Sequence, residues 1–430
     1  MSLLEKAKNQ SDSAELLTVN SESLSVSFTA GEIKSSERKD TFGTALRVIK
    51  DGRIGFSSAI GIENEDLLLK NAIESAQFGD KVDFSFASPA EPAEVETYHE
   101  SIRNLSIEKM IEMGRAVADK LKKAEEGLQI DVGLGRVVSN SALQTTNGLE
   151  LKETESSFGI GAGIERIDGN DILMLYHSGQ SVKVEDFTDE VTTKILERLE
   201  ISRNLVAFEG GPMPVIFPPR AMMTLLLPLL QAINGKTLAQ GSSPLEGKLE
   251  EKLFDEKFTL YDNPLVPLKP ASSSFDGEGI PCRKMAIVEK GVLKNYVLDL
   301  KTASQTNMKS TGSARRGLTS TPSPGTSNLV MEPGNTSIND IISDIEKGLW
   351  VDTVLGLGMG NLLSGSFSNT LGVAFKIENG KLTGRVKNVS IAGNIYELLK
   401  NITAISKETE WLGSLCMPYL MLESLPVVVK

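Results

Sequence analysis

Residues 274–317, SFDGEGIPCRKMAIVEKGVLKNYVLDLKTASQTNMKSTGSARRG, carry the densest local signals in the chain. An acidic turn at 276–279 comes first, and two β-forming runs around Lys290-Gly291 then predict a hairpin. Residues 298–308 have helical character, and a small-residue turn with Arg315 and Arg316 follows. An acidic turn, a hairpin, a short helix and a basic turn in this order indicate a built surface and not only core packing.

The length and net charge of the chain limit the number of domains and the kinds of ligand that it can bind. With 430 residues the chain is long enough for two or three domains, each with its own core. Its net charge is −12, whereas recognition of a nucleic-acid duplex depends on a basic face. The pairs Arg315-Arg316 and Lys122-Lys123 are isolated, and we expect them to be solvated. Direct binding of nucleic acid is therefore not expected.

Targeting and redox signals are weak in this sequence. Residues 1–17 lack the apolar core of a signal peptide, and the longest apolar run, 221–233, is too short to span a bilayer and contains Pro228. The two cysteines, Cys282 and Cys416, do not indicate a disulfide framework. We expect a cytoplasmic protein without membrane contact.

Hairpins and amphipathic helices in the first half predict an antiparallel sheet with helices. Asp51-Gly52 tolerates the positive φ values of a tight primed turn, and a second reversal lies at 146–148. Residues 171–176 and 181–184 are predicted as two further strands. Amphipathic helices are predicted at three places, which are 64–78, 106–123 and 188–203.

Gly210-Gly211-Pro212 marks a boundary, and the sequence beyond it is rich in β-forming residues and glycine. An apolar and hence buried helix is predicted at 220–233, an exposed helix at 245–254 and a third helix at 338–349. The hairpin turns favour antiparallel pairing, so the predicted fold class is α+β. We place the domains at 1–208, with a split near 83–105 left open, and at 209–430.

Histidine and cysteine offer little catalytic chemistry here. His99 and His177 have no paired-ligand spacing, so both are expected to be ordinary surface or turn residues. A nucleophilic Cys282 would need a nearby base or cation, and a small residue at the start of a strand is the favoured interpretation. Cys416 has apolar neighbours and is expected to be a small buried side chain.

Two glycine-containing segments could bind a ligand. Asp276 and Glu278 could hold a cation or form an acid/base pair, although carboxylates at this spacing are more often turn formers. Residues 355–360, LGLGMG, resemble a phosphate loop only loosely because the GK[ST] ending is missing. A glycine-rich strand passage, where another backbone comes close, is the favoured interpretation of that segment.

Several short segments together resemble the TldD/PmbA (TldE) family, once called modulators of DNA gyrase and now understood as a peptidase system. Each is weak alone, but their order is specific and covers the chain from about residue 19 to its end. The segments are GTALRVIKDGRIGF at 43–56, TNGL at 146–149, FDGEGIP at 275–281, VEKGVLKNY at 288–296, TGSARR at 311–316, SNLV at 327–330 and EPG at 332–334.

The resemblance implies an N-terminal α/β region and a β-rich C-terminal domain with peripheral helices. It also implies a dimer around an enclosed cavity and a zinc peptidase with one catalytic subunit type. In that D-type subunit a helix carries His-Glu-x-x-x-His, whose histidines, with a cysteine near the C-terminus, look like the zinc ligands. Aligned on Gly235, those positions fall on Leu226, Leu227 and Gln231 of this chain. Leucine offers zinc no donor, and the Cys416 thiolate alone cannot make a site. The resemblance is therefore to the E-type (PmbA-like) subunit.

The expected function is a non-catalytic subunit of a peptidase that degrades or matures unfolded peptides. This chain would hold no metal and no catalytic residue, and zinc is expected in a D-type partner. An exposed strand edge can bind an extended peptide through main-chain hydrogen bonds. The edges within 356–375 and the 274–317 stretch are the expected groove or interface. Its candidate substrate-binding residues are Asp276, Glu278, Gly279, Gly358 and Gly360.

Two alternatives stay open at this point. A homodimeric peptide-binding or scaffolding protein without peptidase activity would have the same composition and the same missing ligands. A hydrolase that uses Cys282, or the Asp276 and Glu278 turn, is the weaker alternative.

Overall fold

The computed structural model describes residues 1–61 and 64–429. Its strands are β1 (Ser13–Thr29), β2 (Glu32–Lys50), β3 (Arg53–Ile60), β4 (Gln129–Thr145), β5 (Glu150–Asp168), β6 (Asp171–Ser181), β7 (Gly211–Phe217), β8 (Leu260–Asp262), β9 (Met285–Glu289), β10 (Val292–Leu293), β11 (Ala314–Arg315), β12 (Ser323–Pro324), β13 (Leu329–Met331), β14 (Lys347–Val354), β15 (Ser366–Glu378), β16 (Lys381–Val386), β17 (Val389–Asn394), β18 (Ala404–Leu412) and β19 (Leu415–Val429).

Short and medium helices lie between these strands. They are α1 (Leu3–Lys8), α2 (Glu65–Ala76), α3 (Glu100–Arg103), α4 (Ile107–Lys122), α5 (Thr188–Ser202), α6 (Met223–Ala232), α7 (Gly235–Ala239), α8 (Leu300–Gln305), α9 (Ile338–Ser343) and α10 (Ile395–Leu398), with 3-10 turns at Pro219–Ala221 and Leu362–Ser364. No helix in 1–61 or 64–429 is long and apolar enough to cross a membrane.

The first sheet is antiparallel, with the strand order β3-β2-β1-β4-β5-β6. The predicted reversal between β2 and β3 is confirmed, since Asp51 and Gly52 have φ values of 51° and 67°. Ser106 caps α4 by accepting a hydrogen bond from the Lys109 N–H at 3.3 Å, and the apolar side of that helix packs on the sheet.

The two faces of this sheet differ because side chains alternate along a strand. On β5, Phe158, Ile160 and Ala162 are buried in the core shared with α4 and α5. Glycines at 159, 161 and 163 take the positions between and beyond these core residues, and they pair with glycines and Asp131 of β4. The opposite face of the sheet is therefore almost free of side chains along these two strands.

The second sheet has eleven strands, and part of it closes on itself. The pairings run from β7 through β14, β15, β17 and β19 back to β7, and β13, β8, β9 and β10 extend the sheet from β19. Helix α6 lies in the associated core, where Leu225, Leu226 and Leu229 are fully buried. The α+β fold class is confirmed, whereas the domain division at 208/209 stays a prediction.

Three local predictions were wrong. Residues 245–254 follow turns with Leu245 and Phe254 buried, so no exposed helix forms there. The helix at 338 ends at Ser343, because Lys347–Val354 pairs with β7 and β15 as a strand. The two short strands predicted at 171–176 and 181–184 are one strand, β6, which ends at Ser181.

Candidate functional site

The acidic turn at 276–279 is built around Asp276, a buried carboxylate. Its Oδ1 accepts hydrogen bonds from the N–H groups of Glu278 and Ile280, at 2.9 and 3.0 Å, and Oδ2 accepts one from Ala314 at 3.0 Å. Burial raises the pKa of Asp276 above its usual range, although these three bonds oppose the shift. Asp276 therefore fixes the turn and ties it to β11.

Glu278 is fully buried and belongs to a group of four charged side chains, which we name the buried ion cluster: Glu15, Arg47, Glu278 and Arg316. Arg47 donates from Nη1 to Glu278 at 2.8 Å, and from Nε and Nη2 to Glu15 at 2.8 and 2.6 Å. Arg316 donates to the same Glu15 carboxylate. The cluster therefore fastens the 274–317 stretch to β1 and β2 of the first sheet.

Burial raises, and pairing with arginine lowers, the pKa values of the two carboxyl groups in the buried ion cluster. Burial raises the pKa of Glu278 to about 7, against the pull of Arg47 and of the Leu300 N–H. Burial alone would also raise the pKa of Glu15, but Arg47 and Arg316 together hold it below its usual range. The carboxylate with two guanidinium partners is thus the more strongly stabilised of the two.

The buried ion cluster corrects the expectation that Arg315-Arg316 is solvated. The Arg316 side chain is only 3% exposed and reaches Glu15, which is 301 residues away in the chain. Gly279 lies beside the cluster with φ +80°, and a Cβ there would come within 2.5 Å of Leu149 Cδ2. Asp276, Glu278 and Gly279 thus lie where the two halves meet, and their role in substrate binding stays a prediction.

A second contact region between the halves is open. A cavity of about 1120 Å³, which we name the cleft, lies between the first sheet and the β14–β15 region. Its floor includes Gly133, where the sheet backbone is open, and also Gly161 and Gly163, beside which the Tyr176 ring lies. Its rim is apolar and accessible, with Met174 exposed to 66%. The other exposed apolar rim residues are Ile172, Tyr176, Leu355 and Leu357.

Arg220, immediately before α6, marks the inner end of the cleft. It donates from Nη1 to the Tyr176 carbonyl at 3.0 Å and from Nη2 to His177 Nδ1 at 2.9 Å. Its Nε lies 3.7 Å from Asp352 Oδ1, and Arg198 donates to the other Asp352 oxygen at 3.2 Å. Two guanidinium groups thus share one carboxylate.

The contact with Arg220 also determines which ring nitrogen of His177 accepts a hydrogen bond. An arginine nitrogen can only donate, so His177 Nδ1 accepts and the proton of a neutral ring lies on Nε2, which faces Glu190 at 3.4 Å. His177 is 2% exposed, and its prediction as a surface or turn residue was wrong because it lies on the core face of β6. The prediction for His99 is confirmed, since it is exposed and caps α3.

Sequence reasoning missed Arg220 and Asp352. One available signal was that Arg220 is the sole charged residue between Glu209 and Lys236. A lone charge in such an apolar stretch needs a partner or a polar surface, and here it has both.

The helix at the aligned position, α6, presents no zinc donor. Leu226 faces the core, Leu227 is half-buried, and Gln231 donates to Thr237 Oγ1 at 3.1 Å. Among the residues described, no group of three or more histidine, cysteine or acidic side chains is placed to hold a metal ion. Zinc, which the family resemblance implies for a D-type subunit, therefore does not fit the residues of this helix.

The glycine loop at 355–361 lies against the same helix. A Cβ on Gly358 would lie 3.5 Å from Leu227 Cδ2, and Gly356, Gly358 and Gly360 have φ values of 68°, 84° and 97°. The favoured interpretation as a strand with a close backbone neighbour was wrong, since these residues form an exposed loop. The loop needs glycine for its positive φ values and not for close packing.

Both thiols lie in unreactive surroundings. Cys282 is buried beside the Gly312 carbonyl, and burial raises its pKa to about 12. Cys416 is buried as predicted, and burial also raises its pKa. A thiol with a raised pKa contains little of the nucleophilic thiolate near neutral pH.

Comparison with known proteins agrees with this architecture. Residues 210–428 match the PmbA/TldA metallopeptidase C-terminal domain, and residues 14–76 match domain 1 of the same family. The chain belongs to the TldD/PmbA family of metallopeptidase-like proteins.

Three relatives cover nearly the whole chain. An uncharacterized protein of Methanocaldococcus jannaschii is 27% identical over 97% of this chain and 96% of its own length. The metalloprotease PmbA homolog of Haemophilus influenzae is 23% identical over 99% of this chain and 94% of its own length. The crystal structure of TldE from Thermococcus kodakarensis superposes with a TM-score of 0.92 at 25% identity and covers 99% of both chains.

Proposed function

We propose that this chain is the non-catalytic E-type subunit of a two-subunit zinc metallopeptidase that degrades or matures unfolded peptides. The observation that carries the proposal is α6, which has Leu226, Leu227 and Gln231 at the aligned motif positions. The similarity to TldE along the full chain supports the same assignment. The D-type partner would supply zinc and the general base, and this chain would supply part of the cavity.

The proposal gives this chain two tasks, which are to pair with the D-type subunit and to hold extended peptide. Exposed apolar side chains around the cleft and the glycine loop support both, because such patches are typical of binding surfaces. We place the complex in the cytoplasm, where unpaired buried thiols such as Cys282 and Cys416 stay reduced.

The strand edge available to a peptide is narrower than the sequence suggested. Residues 374–378 of β15 pair with β14 on one side and with β16 on the other, so that part of the edge is occupied. Residues 366–370 pair with β17, while the β14 pairing begins only at Leu371. Because the Thr370 carbonyl already accepts a hydrogen bond from the Leu355 N–H at 2.9 Å, we assign strand addition to 366–369, next to the glycine loop.

A native pull-down from the cell that makes this protein tests the proposal. We expect a second chain with His-Glu-x-x-x-His to co-purify at equal amount, and the pair to cleave unfolded peptides in a zinc-dependent manner. Chelation should abolish cleavage without unfolding this chain, because this chain holds no zinc. Recovery of this chain alone, at dimer mass and without peptidase activity, would overturn the proposal in favour of a homodimeric scaffold.

A further inference from the structure

We infer that the cleft is itself a peptide site, which holds a short apolar peptide across β6, β5 and β4. The C-terminal carboxylate of the peptide lies at Arg220, and its N-terminal amine lies at Asp131 and Glu165. The inference rests on the proposed function in that it names the ligand class of this subunit. It differs in that it locates binding on this chain alone.

The floor of the cleft leaves room for a peptide backbone. On β4 the space over Gly133 is open, since a Cβ there would meet no atom within 4 Å, whereas on β5 the Tyr176 ring lies over Gly161 and close to Gly163. Ordinary side chains on this face would fill the space that a peptide needs. The open face at Gly133, with the Tyr176 ring beside it and the apolar rim around it, therefore forms a shallow track for an extended chain.

The two ends of the cleft offer different polar groups. At the inner end, Arg198 and Arg220 share Asp352, and Arg220 supplies the cationic N–H groups that border the cleft. Arg220 uses one N–H on each terminal nitrogen for Tyr176 and His177, so a second N–H remains on each. Free guanidinium N–H groups suit a carboxylate ligand, because charge-assisted hydrogen bonds between arginine and a carboxylate are strong.

The outer end of the cleft is acidic. Asp131 and Glu165 line it together with Lys34, so the group has a net charge of −1. Asp131 and Lys34 are exposed and Glu165 is half-buried, which keeps them accessible from the cleft. An ammonium group is the complementary ligand for this end.

The distance between the two ends sets the peptide length. Tyr176 pairs with Gly163, and Gly163 pairs with Asp131, so the three residues form one row across β6, β5 and β4. Two strand spacings amount to about 10 Å. Three to four extended residues, at about 3.4 Å each, span that distance with both termini free.

The first experiment blocks the floor of the cleft. Isothermal titration calorimetry measures binding of the tetrapeptide leucyl-alanyl-valyl-leucine to the isolated full-length chain and to its Gly133→Val variant. Valine suits a strand and finds open space at this position, so the variant keeps its fold while the side chain occupies the floor. We expect at least a tenfold loss of affinity.

Gly135→Val is the matched control. Gly135 lies on the same strand and face, its Cβ would be 3.9 Å from the nearest atom, and it does not line the cleft. We expect this variant to bind the tetrapeptide as the wild type does. If thermal melting shows that Gly133→Val is misfolded, Gly163→Ala replaces it, because its Cβ makes only ordinary contacts at 3.6 Å and beyond.

The second experiment tests the orientation of the peptide. We expect amidation of the C-terminus to weaken binding about tenfold in every variant that keeps Arg220. Asp131→Asn should weaken binding of the free-amine peptide and leave that of the acetylated peptide unchanged. Equal binding by both glycine variants, equal binding of all peptide forms, or no binding to the wild type would overturn the inference.

The two proposals fail separately. Peptide binding by the isolated chain requires no D-type subunit, so it measures the cleft even if the pull-down recovers this chain alone. Recovery of an active pair whose E-type subunit binds no tetrapeptide would leave the proposed function intact and reject the peptide site.

Discussion

The buried ion cluster and the cleft both join the first sheet to the second half of the chain through arginine and carboxylate groups, yet only the cleft is open. In the cluster, Arg47 and Arg316 are almost fully enclosed and their carboxylate partners are fully buried. At the cleft, Arg220 is paired in part and borders a large cavity. The same residue types therefore serve structure in one place and offer a ligand surface in the other.

The physical reason is solvent access. A buried charge loses its hydration, so nearly every polar atom around it must come from the protein, and breaking one pair leaves an uncompensated charge. An arginine at an open cavity can exchange water for a ligand at little cost. Burial, and not residue type, separates the two roles.

The largest expected effect tests the closed side of this comparison. Arg47→Met leaves Glu15 without one guanidinium partner and Glu278 without any. We expect a loss of about 3 to 5 kcal/mol in the free energy of unfolding, measured by chemical denaturation. Lys109→Ala, which breaks only the exposed pair with Glu112, should cost less than about 0.5 kcal/mol. Equal losses in both variants would remove the distinction between buried and open pairs.

The pH dependence of the free energy of unfolding also tests the buried ion cluster. Burial raises the pKa of Glu278 from 4.5 to about 7, so the folded state binds this proton more tightly than the unfolded state. The resulting stability is fully present below pH 4.5 and is lost as the pH rises through 7, by up to about 3 kcal/mol. Denaturation at pH 5, 6 and 7 should show this decline in the wild type and a flatter profile in Glu278→Gln. Parallel profiles would assign the decline to another group.

A smaller effect, on peptide cleavage, tests the open region around the cleft. Gly358→Val places a β-branched side chain at φ +84° beside Leu227, in the loop at the rim of the cleft. We expect peptide cleavage by the two-subunit complex to fall about tenfold, while the melting temperature changes little because the loop is exposed. Gly52→Val, with φ +67° in the β2–β3 turn, carries the same backbone strain and should leave cleavage unchanged. Unchanged cleavage in Gly358→Val would contradict a role of the glycine loop in peptide processing.

The smallest effect concerns Cys282, on the closed side. Its buried thiol, with a pKa of about 12, holds almost no thiolate at neutral pH. Cys282→Ala should therefore change peptide cleavage less than twofold, and iodoacetamide should label the native chain slowly. Activity that survives chelation but disappears in this variant would revive the thiol hydrolase alternative.

Local sequence chemistry was enough to predict several secondary-structure elements and to support the main functional argument. Asp51-Gly52 and Ser106 determine a hairpin turn and a helix start through contacts with near neighbours, so both predictions were confirmed. The absence of zinc donors in 220–233 is also a property of the sequence, since no fold can supply a missing ligand to that helix. Hairpin signals favoured the α+β class but allowed several arrangements, so the predicted arrangement depended mostly on the family resemblance.

Only the tertiary structure decided which charges are buried and which are open. Arg47 and Glu278 are 231 residues apart, and no spacing rule links them. Lys347–Val354 is a strand and not the end of a helix because β7, far earlier in the chain, pairs with it. Arg220 and His177 meet because β6 and the approach to α6 are packed together. The sequence determined the available groups, and long-range packing determined their solvent access and therefore their roles.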